Sequence, residues 1–310
     1  KKSELIVQDE NNILYLINSS GQIEWSKKIE SQVLKEIHQI DSYKNGKLQY
    51  LFATKNKLHL IDRKGRNVGK FPLKFNDIIT QPISVFDYDK NKNYRILITQ
   101  NNELFMFDSK GNRVRGFNYI KNDKILNSPK HFRISNKDLI VFKTKNDLKI
   151  ISRRGRPRIE TKTKFDYSSE KVFQYGNVIV TQTDKNEIIE IDLKGNVKII
   201  DAYSSDMNLS SIENFMVIKN GNSLLNDKNK SELKFGKYNN LKIYNSEEFI
   251  LISVFDYQNK EGYLFDQNLN LIDGFPFKSE SFIDYRLNKN YFEFALKTEN
   301  KSIKFYKKSI

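Results

Sequence analysis

One phrase recurs along this chain of 310 residues and limits its fold more than any other feature: an alternating apolar strand, Asp or Asn, two residues, Gly, and a second strand. It reads Leu14-Tyr15-Leu16-Ile17-Asn18-Ser19-Ser20-Gly21, then Leu58-His59-Leu60-Ile61-Asp62-Arg63-Lys64-Gly65. It returns with turn residues at Asp108, Ser152 and Asp192, and in weaker form at Asn226, Asp266 and Tyr306. The spacings between turn residues are 44, 46, 44, 40, 34, 40 and 40, the period of propeller blades. Asp or Asn opens such a turn by accepting from the backbone two residues on, and Gly supplies the positive φ that closes it. Each hairpin follows another β-rich run, such as Gln49–Thr54, Leu139–Thr144 or Tyr291–Lys297, and a shorter segment precedes each run. Four short strands per unit cannot cover both of their own faces, so the units must pack on one another. The expectation is an all-β protein, a β-propeller of about eight four-stranded blades. Seven is the alternative, because the first unit lacks an inner strand and the last an outer one.

Composition removes several chemistries. With no cysteine there is no disulfide framework, thiolate nucleophile, iron–sulfur cluster or cysteine zinc site. The longest apolar runs are about five residues, against the roughly 18–20 of a membrane-spanning helix. Aromatic residues at 13% are too many for a disordered chain. The chain begins Lys1-Lys2-Ser3 without methionine, so residues 1–310 are expected to be one propeller domain within a longer chain.

The segment Asn18-Ser19-Ser20-Gly21-Gln22-Ile23-Glu24-Trp25 resembles the turn of the PQQ-like (quinoprotein-like) propeller repeat, Asp-x-x-Thr-Gly-Lys-x-x-Trp, whose Trp docks blade to blade. The Asp-x-x-Gly half recurs at Asp62, Asp108 and Asp192, whereas the Trp appears once. The resemblance implies an eight-bladed, non-cytoplasmic protein of a family with enzymatic and non-enzymatic branches. One non-enzymatic branch is the propeller lipoprotein of the outer-membrane β-barrel assembly machinery. The Lys/Asn/Ile-rich spelling is also similar to propeller regions of large Bacteroidota cell-envelope proteins. The quinone enzymes of the family use a stacking Trp and an adjacent Cys pair. This chain has no Cys, and its one Trp belongs to the turn, so no quinone cofactor is expected.

Three candidate sites remain. Asp87, Asp89 and Asn91 have the Asp-x-Asp-x-Asn spacing of a calcium loop, similar to integrin-type propeller repeats. They lack its central Gly and closing acid, and Lys90, Lys92 and Arg95 crowd them, so a plain Asx turn is the competing reading. His38, Ser84 and His131 fall in the first strands of consecutive units. They either line a central channel or pack between blades. Finally, charge is concentrated. Residues 62–74, 108–121 and 151–164 carry net charges of +4, +3 and +5, within a chain total of +15. These windows hold Arg63, Lys64, Arg66, Lys110, Arg113, Arg115, Arg153, Arg154, Arg156 and Arg158 at equivalent turns. A basic face of that kind suits an acidic protein partner or assembly, and equally an anionic lipid, glycan or nucleic acid.

No nucleophile–base order, phosphate-cradling Gly loop or His-Glu-x-x-His motif is present. The reading is therefore a non-catalytic interaction or scaffold module of the periplasm or cell envelope. The alternative is a glycan-active or polyanion-binding propeller with its site at the channel.

Overall fold

The computed structural model describes residues 4–120, 123–203 and 206–309, so Lys1, Lys121 and Ile310 lie outside it. Its regular elements are all strands, in eight antiparallel sheets. The sheets are the blades of an eight-bladed β-propeller. Five have four strands and three have three.

The chain divides into two compact units, one ending at Glu170 and the other beginning at Lys171. In the first unit, sheet 1 holds Glu4–Gln8, Ile13–Asn18 and Ile23–Lys28. Sheet 2 holds His38–Ile40, Gln49–Ala53, Lys57–Ile61 and Leu73–Lys74. Sheet 3 has Ser84–Phe86, Arg95–Gln100 and Glu103–Asp108, and sheet 4 has Lys130–Ile134, Lys137–Lys143, Leu148–Ile151 and Pro157–Ile159.

In the second unit, sheet 5 holds Phe173–Tyr175, Val178–Gln182, Glu187–Ile191 and Val197–Ala202. Sheet 6 is Met207–Ile212, Phe215–Asn220, Ser223–Leu225 and Lys230–Glu232. Sheet 7 is Tyr238–Asn245, Ile250–Asp256, Glu261–Asp266 and Phe277–Lys278. Sheet 8 is Asp284–Leu287, Tyr291–Lys297 and Ile303–Ser309.

The recurring turn has the expected chemistry. Asp62 Oδ1 accepts from the N–H groups of Lys64 (2.8 Å) and Arg66 (3.0 Å). Asp108, Asp192, Asp266 and Asn18 accept from the same two positions of their own turns. The turn glycines have φ between 75° and 82°, and in the Asp266 copy Leu269 takes that conformation instead, at 64°. Tyr306 is a correction: it sits inside the strand Ile303–Ser309 and opens no turn.

Central strands bury both faces, so they read as continuous apolar runs. Tyr50 and Phe52 pack back on sheet 1, while Leu51 and Ala53 pack forward on Ile83, Ile96 and Ile98 of sheet 3. Leu97 and Met106 of sheet 3 meet Ile140, Phe142 and Ile151 of sheet 4 in the same manner. A second interlock lies at the turns. Trp25 of sheet 1 lies over Gly65, where an added Cβ would be 3.0 Å from the indole, and its Nε1 donates to Arg63 O at 2.8 Å. This is the blade-to-blade docking that the Asn18–Trp25 phrase implies. Residues Lys70, Phe71 and Leu73 cover Gly111, and the Asn118–Tyr119 backbone covers Gly155.

Candidate functional site

The three turns of high positive charge belong to sheets 2, 3 and 4, all in the first unit. They touch through the interlock just described: Lys70 Nζ donates to Asn112 Oδ1 at 2.8 Å, and Asn118 N donates to Arg154 O at 2.9 Å. Not all ten basic residues are available. Arg63 is paired with Glu4, and Arg66 with Asp62 at 2.6 Å. Arg153 meets Asp89 at 2.8 Å and Asp138 at 2.7 Å, with its guanidinium 4.3 Å from the Tyr88 ring centre. Arg153 therefore ties sheet 4 to sheet 3. Lys64, Lys110, Arg113, Arg115, Arg154, Arg156 and Arg158 are exposed and form no ion pair among the described residues. Arg113 lies over the Phe105 ring at 4.8 Å.

Between these turns sheet 3 carries a groove of about 610 Å³, lined by Lys70, Asn112, Arg113, Val114, Arg115, Phe117 and Asn118. Three of the lining residues are cationic, and no carboxylate is among them. A departure from the repeat accounts for it. The segments Gly69-Lys70-Phe71-Pro72-Leu73-Lys74 and Gly274-Phe275-Pro276-Phe277-Lys278 each run into a short fourth strand, and both X–Pro bonds are cis. At the matching place sheet 3 has Gly116-Phe117-Asn118-Tyr119. Asn118 has the N–H that proline lacks, and that donor is taken by Arg154 O of sheet 4. The segment follows sheet 4, sheet 3 stays three-stranded, and the groove occupies that place. Sequence reading flagged the charges and missed the groove, although Asn118 in the place of Pro72 and Pro276 was its visible sign.

The calcium residues are not gathered together. Asp87 accepts from the N–H groups of Asn91 (3.1 Å) and Lys92 (2.9 Å), four and five residues on, so its carboxylate closes the loop. Asn91 Oδ1 accepts from Asn93 N at 3.1 Å. Asp89 turns away to Arg153 and Arg133, whose hydrogen bonds lower its pKa. No group of three or more His, Asp or Glu residues suited to a metal ion occurs among the described residues.

Nor do His38, Ser84 and His131 form one row. His38 pairs with Leu51 and Ser84 with Leu97, both forward-facing positions, and Ser84 Oγ donates to Pro129 O at 2.5 Å. His131 pairs with Ile140, which faces back. Its ring packs 4.7 Å from that of Tyr88, and Nε2 is 2.8 Å from Asp138 Oδ1. Burial lowers the pKa of His131 despite that carboxylate, and burial likewise lowers that of His38. Asp138 loses solvation, but hydrogen bonds from Arg133, His131 and Arg153 hold its pKa down to about 2.

A second cluster went unread in the sequence because its members are 29 residues apart. His59 is buried, stacked on Phe52 at 4.8 Å, with Nε2 3.2 Å from Glu30 Oε1 and 3.3 Å from Thr54 Oγ1. Glu30 also holds Lys57 at 3.3 Å. Burial works to raise the Glu30 pKa, yet hydrogen bonds from Thr54 and His59 bring it to about 2. Every strong polar group here is satisfied by another, so the cluster joins sheet 1 to sheet 2.

No protein-family model and no curated protein matches this sequence. Solved structures do. The chain is similar to the dihydro-heme d1 dehydrogenase NirN, with TM-score 0.64 and 10% identity over 98% of this chain and 70% of that one. It is similar to BBS1N in complex with ARL6DN, with TM-score 0.62 and 10% identity over 90% and 93% of the two chains. BamB from Moraxella catarrhalis gives TM-score 0.55 and 12% identity over 86% and 77%. At such identities the likeness shows the fold, the β-propeller. One of these structures is an enzyme and another is a complex between two proteins.

Proposed function

We propose that this propeller is a non-catalytic interaction module of the cell envelope that captures an acidic protein segment on the basic face of sheets 2–4. The observation that carries the reading is the groove of sheet 3, where Lys70, Arg113 and Arg115 converge with no carboxylate among the lining residues. Arginine forks bind carboxylates in two-bonded pairs, and an uncompensated cationic groove draws an acidic chain from solution. Its volume is that of a site for several side chains. The ion pairs of Arg63 and Arg153 divide the labour, since these two reach Glu4 of sheet 1 and Asp89 beside sheet 3 while their unpaired neighbours face outward, and Arg66 is held by Asp62 within its own turn.

The test is titration of a fluorescent polyglutamate peptide into the full chain. Arg113→Glu/Arg115→Glu should weaken binding at least about tenfold, the loss typical of one or two charged contacts. Arg154→Glu/Arg156→Glu/Arg158→Glu should weaken it further with the far-ultraviolet spectrum unchanged. Equal affinity in all three proteins would overturn the reading. Envelope residence is tested by fractionating cells that express the protein in its native context.

A further inference from the structure

The second unit carries a feature that the basic face does not use, at the end of sheet 7 remote from its Asp266 turn. Phe235 and Tyr257 are 82% and 51% exposed, and they stand on two loops laced together. The lace is Asp256, itself fully buried. Its carboxylate accepts from the backbone N–H groups of Lys237 (3.2 Å), Gln258 (3.0 Å) and Asn259 (3.1 Å), and from the Asn259 amide at 2.6 Å. The same amide donates to Phe235 O at 3.1 Å, and Tyr257 N donates to Lys237 O at 3.0 Å. Gly236 permits the approach, because a Cβ there would lie 2.1 Å from Asp256 Oδ2.

Two exposed aromatic side chains thus project from one loop cluster cross-linked by these hydrogen bonds. Lys234 and Lys237 flank them, are exposed, and take part in no ion pair among the described residues. Lys260 is excluded from this count, since Glu280 holds it at 2.8 Å.

We propose that this double tip docks on an anionic lipid bilayer, with Phe235 and Tyr257 in the headgroup layer and Lys234 and Lys237 on lipid phosphates. Three properties favour a bilayer over a protein partner. Projecting tips need no matching pocket when the receiving surface is deformable. The N–H groups of Lys237, Tyr257, Gln258 and Asn259 are already paired within the cluster, so these four donors lose no partner when the loops approach the headgroups. An aromatic pair flanked by lysines also fits the interface, where rings settle at headgroup level and each lysine adds attraction to anionic lipid. The inference is independent of the acidic-segment reading, being on a different sheet and of different chemistry.

The experiment is flotation of the full chain with vesicles of phosphatidylcholine alone or mixed with phosphatidylglycerol. The chain should float with the mixed vesicles only. Phe235→Ala/Tyr257→Ala and Lys234→Glu/Lys237→Glu should each reduce binding at least about tenfold. Arg113→Glu/Arg115→Glu should float like the unmodified chain. Phe235→Trp reads insertion directly, through a blue shift of its emission when mixed vesicles are added. Absence of the chain from both vesicle fractions would overturn the proposal. So would tip variants that float undiminished, or binding that is lost only in the Arg113/Arg115 variant. Capture of polyglutamate by the tips without any vesicle binding would replace the bilayer with an acidic protein.

Discussion

Gly21 and Gly155 both hold the left-handed conformation, yet a methyl group would meet nothing within 4 Å at the first and the Asn118 backbone at 2.7 Å at the second. The first glycine answers only to its own turn, and the second also to the neighbouring sheet. Gly21→Ala should therefore cost about 1–2 kcal/mol, the strain of a side chain at positive φ. Gly155→Ala should cost at least about 3 kcal/mol, because backbone cannot swing aside as a side chain would. Urea unfolding of the two variants compares them, and equal midpoints would remove the claim that Gly155 is a docking point. His59 brings pH into a different interface, that between sheets 1 and 2. Its folded pKa is lowered by burial, so the unfolded chain takes up the proton first, and stability falls as pH drops below about 6.5. Glu30 adds a second loss as pH falls from its ordinary value of 4.5 toward about 2. His38 and His131 share the upper step, so His59→Gln should shrink it without abolishing it in melting curves recorded from pH 7 to pH 5.

At the scale of strands and turns, the sequence was legible wherever the determining physics was local. Alternating apolar residues and an Asp with Gly three residues on fix a hairpin without help from afar, so the central strands fall close to where the runs were drawn. Gln49–Thr54 became Gln49–Ala53, and Tyr291–Lys297 kept both bounds. Legibility ended where a residue's role depends on a neighbouring sheet. His38 and His131 look equivalent in the sequence, but a shift of one position against the second strand sends their rings to opposite faces. The acidic partner of His131 is Asp138, across a tight hairpin, whereas that of His59 is Glu30 in the loop that follows sheet 1. Adjacent arginines divide in the same way. Arg153→Ala should lower stability by about 1–3 kcal/mol, since Asp89 and Asp138 lose a shared cation and Tyr88 its cover. Arg154→Ala should leave stability within about 0.5 kcal/mol. A thermal melt of each decides it, and equal losses would mean that Arg153 is no more structural than its neighbour.

Over the whole molecule, eight sheets were foreseen from eight phrases, even though Tyr306 is part of a strand and the last phrase supplies no turn. Sequence alone located the charge at three turns, and sorting the ion pairs narrowed its ten named residues to seven exposed cations without an ion pair among the described residues. Capture of an acidic segment should accordingly weaken about tenfold or more as ionic strength rises from about 0.05 to about 0.3 M, because screening acts on exposed charges. Calorimetric titrations at the two salt levels measure it, and an unchanged affinity would take the exposed cations out of the contact. The docking of one sheet on the next has a wider bearing. Trp25 and Lys27 grip the carbonyl oxygens of Arg63 and Gly65, and Asn118 grips that of Arg154. What is held is main chain, so these turns can replace the side chains that reach no neighbouring sheet and stay clasped as long as the glycine remains. Their outward positions, Arg154 and Arg156 among them but not Arg153, are thus blank tiles that can be inscribed without disturbing the wall behind.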